Sequence, residues 1–151
     1  MKLIAHRGLL YGPDARTENR PSTLQEALNR GFEVEADVWY DDGWWLGHDE
    51  PRHAIDYDFL CRPEVWAHCK NLDALAQATD AMHHFWHVGD EYTLTSRGIV
   101  WVYPGKRAPL PRPSVAVRDR MDPAIASQTI DVMRGLGLFG VCFDYGGLVG
   151  H

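Results

Sequence analysis

The segment "GFEVEADVWYDDGWWLGHDEP", residues 31–51, decides how the chain is read. β-branched and aromatic residues flank Asp42-Gly43, a dipeptide that accepts the positive φ of a tight hairpin turn. A strand over 32–39 and a return strand ending at His48 follow from it. Glu35 and Asp37 are two apart, so on a strand they share a side. Two carboxylates converging there repel unless a cation or a proton separates them, which makes a hard divalent ion such as Mg²⁺ or Ca²⁺ a natural resident. The ordinary alternative is a solvent-facing strand edge with alternating polar residues. His6 and His48, at neighbouring strand ends, weigh against it.

Strand and helix signals alternate on both sides of this hairpin. "KLIA" is a short apolar run that ends at His6-Arg7, and a Gly/Pro/Asp loop over 8–16 leads to "RPSTLQEALNRG". There Ser22 or Thr23 can cap, Leu24, Ala27 and Leu28 recur at helical spacing, and Gly31 stops the helix. "EVWAHCKN" reads as the third core strand and "LDALAQATDAM" as a second amphipathic helix. "HHFWH", "GIVWVYPG" and "SVAVR" read as strands, followed by a helix at about 123–136 and a last apolar run, "GLFGVCFDY". Such alternation predicts an α/β fold with a parallel sheet and crossover helices. Six or seven core strands favour a reduced (β/α) TIM-type barrel. At 151 residues, against about 250 for a usual barrel, several crossovers must shorten to loops. The proline-rich "PGKRAPLPRPS" is one of these.

The length suits a single domain over 1–151. A formal charge of −6 argues against a nucleic-acid surface, which needs clustered Lys and Arg. The three cysteines, Cys61, Cys69 and Cys142, form no bridge framework, which suits a cytoplasmic setting. "MKLIAHRG" holds too few apolar residues for a signal-peptide core, and no stretch approaches a membrane span, so neither processing nor stable membrane insertion is expected. Missing helices would leave apolar strand faces that a homo-oligomer would cover.

His6, Arg7, Glu35, Asp37, His68 and Lys70 all fall toward C-terminal strand halves, where barrel enzymes place their chemistry. Asp49 reads as a partner for His48 or a turn residue, and Asp144, ending the last strand, as a weaker candidate facing the pocket. His83, His84 and His87 invite a zinc reading, which the absence of cysteines at finger spacing disfavours. The tryptophans on strands read as core or pocket wall.

"IAHRG", "ENRPSTLQEAL", "GFEVEADVW", "DG" and "LGHDEP" resemble, in order and spacing, the N-terminal motifs of the glycerophosphodiester phosphodiesterase family, within the phospholipase C-like phosphodiesterases. The match covers about residues 3–51. "WAHCKN" is similar to the family's third-strand motif, and 83–151 match only loosely. The resemblance implies a (β/α) barrel that hydrolyses phosphodiesters with two histidines and a divalent cation. By position, His6 and His48 resemble the catalytic pair, Arg7 and Lys70 the phosphate-facing cations, and Glu35 and Asp37 two metal ligands. Glu18 and Asn19, in the Glu-Asn motif, resemble residues near substrate and metal. His68 departs from the pattern, standing where the family usually has a carboxylate. It can still bind a metal, but it softens the site toward Mn²⁺ or Zn²⁺.

Two imidazoles with ordinary pKa near 6.5 can divide the two proton transfers of phosphodiester cleavage. The expected assignment is His6 as base toward the attacking hydroxyl and His48 as acid to the leaving group, or the reverse. Two other classes stay open: a lyase releasing a cyclic phosphate, and an inactive module that binds a phosphate ligand.

Overall fold

The computed structural model describes residues 1–119 and 121–149. In chain order the elements are β1 (Lys2–Ala5), α1 (Pro21–Asn29), β2 (Glu33–Tyr40), β3 (Trp44–Leu46), β4 (His53–Ala54), α2 (Tyr57–Leu60), β5 (Val65–Cys69), α3 (Leu72–Gln77), β6 (His84–Trp86), β7 (Tyr92–Leu94), β8 (Val100–Val102), β9 (Ser114–Arg118), α4 (Ala126–Gly135) and β10 (Gly140–Phe143). The fold is mixed α/β around one ten-stranded sheet. Its parallel part runs β6-β5-β2-β1-β10-β9-β8, with the expected hairpin strand β3 antiparallel to β2. Two unanticipated strands are added at the margins, β4 on β3 and β7 on β8, both antiparallel.

Alternation along the strands separates two cores. Ala5, Val34, Ala36, Val38, Ala67, Ala116 and Val141 pack with Leu24 and Ala27 of α1, Leu60 of α2, Ala74 of α3 and Ile130 of α4. The intervening positions point the other way, where Ile4, Trp66, Phe85, Trp101, Val115, Val117 and Cys142 form a second cluster drawn from six strands. Phe85 stacks on Trp101 with ring centres 4.5 Å apart, and Trp66 lies 5.8 Å from Trp101. Of the tryptophans expected as core or pocket wall, Trp66 and Trp101 are core, whereas Trp39, Trp44, Trp45 and Trp86 are only partly buried. No strand ladder joins β6 to β7 or β8 among the described residues, so strand pairing does not close the sheet. Polar contacts bridge that gap instead: Ser96 N–H donates to the His84 carbonyl at 2.8 Å, and Thr93 Oγ1 donates to the Trp86 carbonyl at 2.9 Å.

Local details correct three expectations. Neither Ser22 nor Thr23 caps α1, because Pro21 takes the first helical position, where its missing N–H costs nothing, and Arg20 becomes the cap residue without a side-chain bond. The helix expected over 72–82 ends at Gln77. Asn71 caps it through Ala74 N–H at 3.0 Å, but Ala78 turns extended, and the chain then buries Met82 and His83. The return strand of the hairpin stops at Leu46, two residues before His48. All three cysteines are free. No helix among the described residues is long and apolar enough to cross a membrane.

Candidate metal and acid-base site

Because Val34, Ala36 and Val38 face the helices, Glu35 and Asp37 are turned to the opposite side, where they are 2 % and 1 % exposed. β5 lies alongside in parallel, with His68 directly opposite Asp37. His68 Nδ1 sits 3.0 Å from Asp37 Oδ1 and 3.6 Å from Glu35 Oε1. Its ring is stacked flat on Phe85, and its Nε2 lies 2.8 Å from the His87 carbonyl. A carbonyl only accepts, so the hydrogen-bond network assigns a proton to Nε2. Nδ1 therefore meets the carboxylates either as the second N–H of an imidazolium or as a lone pair aimed at a cation. Burial works against the charged ring, but the bonds and charges of Asp37 and Glu35 prevail and raise its pKa to about 9.

The remaining ligand-like groups radiate from Asp37. Asn19, 1 % exposed, donates from Nδ2 to Asp37 Oδ2 at 2.9 Å and accepts from the Asp37 N–H at 2.9 Å. Lys70 Nζ lies 3.5 Å from Asp37 Oδ1, and Arg7 Nε lies 3.2 Å from Oδ2 without hydrogen-bond alignment. Burial pushes the Asp37 carboxyl up, yet the His68 bond and the charges of Lys70, Arg7 and His68 hold it well below the usual range. Arg7 also pairs with Glu18 at 2.9 Å, and its backbone N–H donates to Glu35 Oε2 at 3.1 Å. Arg7 and Asn19 both have left-handed backbones, φ 52° and 54°. An asparagine tolerates that region, an arginine much less, and such strain gathers at functional sites.

His6 completes the group. Its Nδ1 lies 2.8 Å from Asp144 Oδ1 and its Nε2 3.9 Å from Glu35 Oε2. Burial lowers its proton affinity, but the Asp144 bond and the charges of Glu35 and Asp144 outweigh that, leaving the pKa above 6.5. Asp144, a weaker candidate in the sequence, is thus the carboxylate that orients His6.

His48 is the exception. The hairpin does return the chain, since the Gly47 N–H donates to the Asp37 carbonyl at 3.1 Å and the Trp39 indole donates to the Gly47 carbonyl at 2.6 Å. Gly47 is required there, because a Cβ would lie 2.0 Å from the Glu50 carbonyl oxygen. The His48 side chain, 36 % exposed, pairs through Nδ1 with Asp49 at 2.7 Å, as expected. Among the described residues, no hydrogen bond or ion pair joins it to Asp37 or the groups around Asp37. It borders an adjacent cavity of about 330 Å³, of which Glu18 forms another wall.

Among the described residues, Glu35, Asp37 and His68 form the one group whose ligand atoms lie within 4.8 Å of one another, and it can hold a metal. His83, His84 and His87 do not converge as zinc ligands. The His83 ring packs on Trp66 at 4.0 Å, His84 Nδ1 lies 2.9 Å from the Met82 carbonyl, and the His87 ring lies 5.2 Å from Tyr103. His87 contributes through its backbone, which no sequence signal reveals. Comparison with protein-family models, curated proteins and solved structures finds no match to this chain.

Proposed function

We propose that the chain is a small, divergent member of the glycerophosphodiester phosphodiesterase family, and that it hydrolyses a glycerophosphodiester-like small molecule with a divalent cation. The observation that carries this reading is the convergence of Glu35, Asp37 and His68 within 4.8 Å, with Arg7 and Lys70 on Asp37 and His6 beside Glu35. We further read the sheet as a reduced (β/α) barrel. Its support is the second cluster, in which six strands contribute to one interior, and the polar contacts between β6 and the chain around β7.

Glu35, Asp37 and His68 Nδ1 would hold the cation, and two carboxylates with one imidazole suit Mg²⁺ or Mn²⁺, with Zn²⁺ next. When bound, it would supply Lewis-acid polarisation of a phosphoryl oxygen. The chain's own groups do the rest. Arg7, held by Glu18, and Lys70 offset charge on the non-bridging phosphate oxygens. His6, oriented by Asp144, takes the proton of the attacking water at Nε2. His48, oriented by Asp49, returns a proton to the departing alkoxide from the cavity side. A screen of phosphodiesters with and without divalent cations tests this, followed by His6→Ala and His48→Ala on whichever is cleaved. Metal-dependent turnover lost in both variants supports the reading, and full activity in both overturns it. Phosphorus NMR of the product distinguishes hydrolysis from release of a cyclic phosphate.

A further inference from the structure

The cavity beside His48 has a chemistry of its own. Arg16, Arg20 and Arg52 line it together with His48 and His53, although the chain as a whole carries −6. Arg16 is held by Asp14, with Nε and Nη2 each 3.0 Å from a carboxylate oxygen, and Arg52 is held by Glu50 at 3.1 Å. Both guanidinium groups lie in exposed ion pairs and retain further N–H donors. Arg20 donates from Nε to the Arg16 carbonyl at 2.7 Å and has no carboxylate partner within 4.0 Å among the described residues. Its charge is left uncompensated. The two acids on the wall are already engaged, Glu18 with Arg7 and Asp49 with His48. His53 reports the resulting field: burial, then the charges of Arg20 and Arg52, lower its proton affinity. At about 330 Å³ the space lies at the small end of ligand sites, ample for a charged substituent.

We infer that this cavity is a subsite for an anionic group, a carboxylate or phosphate, borne by one alcohol arm of the substrate. Its adjacency to the scissile bond rests on the phosphodiesterase reading: His48 faces the cavity, and Glu18 links it through Arg7 to Asp37. The preferred substrate is then a phosphodiester with a second negative charge. A diester of two neutral alcohols fills the reaction centre and leaves Arg20 without an anionic partner.

The test compares two nearly isosteric diesters, glycerol–phosphate–glycerol and glycerol–phosphate–glycerate, which differ by a hydroxymethyl against a carboxylate. Turnover is measured with Mn²⁺, and affinity by calorimetry in EDTA. A charged hydrogen bond to the carboxylate should favour the glycerate diester roughly ten-fold. Arg20→Gln and Arg52→Gln, both at exposed positions, should each reduce that ratio severalfold in the turnover and binding comparisons. Equal affinity and equal kcat/KM for the two diesters, or a preference unmoved by either substitution, overturns the subsite. If the glycerate diester binds preferentially through Arg20 and Arg52 but neither diester is cleaved, the subsite stands and the catalytic reading falls.

Discussion

Replacing His68 with glutamate tests whether this residue is both a metal ligand and the group that keeps the metal-free site intact. In the wild type the ring lies between Asp37 Oδ1 at 3.0 Å and Glu35 Oε1 at 3.6 Å, and its high proton affinity makes it an imidazolium at neutral pH. His68→Glu removes that positive charge from a buried carboxylate pair and adds a third negative one. It also removes the Nε2 donor to the His87 carbonyl. Breaking a buried ion pair costs about 3–5 kcal/mol. For a chain of this size, 1 kcal/mol corresponds to roughly 2–4 °C in Tm, so the EDTA-treated variant should melt about 10 °C below wild type. Arg7 and Lys70 stay in place and prevent complete charge imbalance. A cation replaces the missing charge, and at one hundred times Kd it returns about 2.7 kcal/mol. Thermal melts by circular dichroism in EDTA and with Mn²⁺ or Mg²⁺ should therefore show a larger metal-dependent rise in His68→Glu than in wild type. His68→Gln, which neither charges nor titrates, should lie between them. Equal Tm values in EDTA, together with equal metal responses, would refute both the placement of the charge and the ligand assignment.

Further expectations concern pH and the supporting residues. His83 is buried against Trp66 and its pKa falls to about 4, so its contribution is complete above 6.5 and is lost as pH drops toward 4. The gap corresponds to about 3 kcal/mol, and urea melts of His83→Leu at pH 7 and 4.5 should show a flatter acid slope than wild type. His68 has the opposite sign: in EDTA its stabilisation is complete below 6.5 and fades as pH rises through about 9, a slope that His68→Gln should lack. Asp144→Asn removes the partner that raises the His6 pKa, so the pH limb of kcat/KM that requires neutral His6 should move to lower pH, with activity down on the order of ten-fold or more. Asn19→Ala deletes two bonds to Asp37 and should cost about 1–3 kcal/mol in denaturant melts and weaken metal binding measured by calorimetry.

The legible parts of this molecule are those set by local rules. Asp42-Gly43 predicts a hairpin, and Trp39 pairs with Trp45 across it. The two-residue spacing of Glu35 and Asp37 predicts a shared face, and the helix-facing burial of Val34, Ala36 and Val38 produces it. Seven parallel strands match the six or seven expected. What was not legible depends on contacts between distant segments. β4 and β7 are short, and each exists because an edge strand was available to pair with. The position of His48 depends on the close passage of Gly47 past Glu50, which turns the side chain toward the arginine cavity instead of toward Glu35.

The same distinction explains His68. Read in sequence, a histidine two positions before Lys70 is a weakened metal ligand, because it replaces a charge with a neutral donor. In the fold it has two edges, and the far edge meets a carbonyl delivered by His87 at the end of β6, nineteen residues away. That bond fixes which nitrogen faces the acids, and the flat stack on Phe85 fixes the ring plane. A glutamate at this position could not donate to the His87 carbonyl, nor neutralise Glu35 and Asp37 when no metal is bound. The histidine therefore confers something a carboxylate cannot: a positive partner for the two acids when no cation is bound. On the proposed reading, metal binding would exchange a proton for an ion at Nδ1, beside an Asp37 that Arg7, Lys70 and Asn19 already surround.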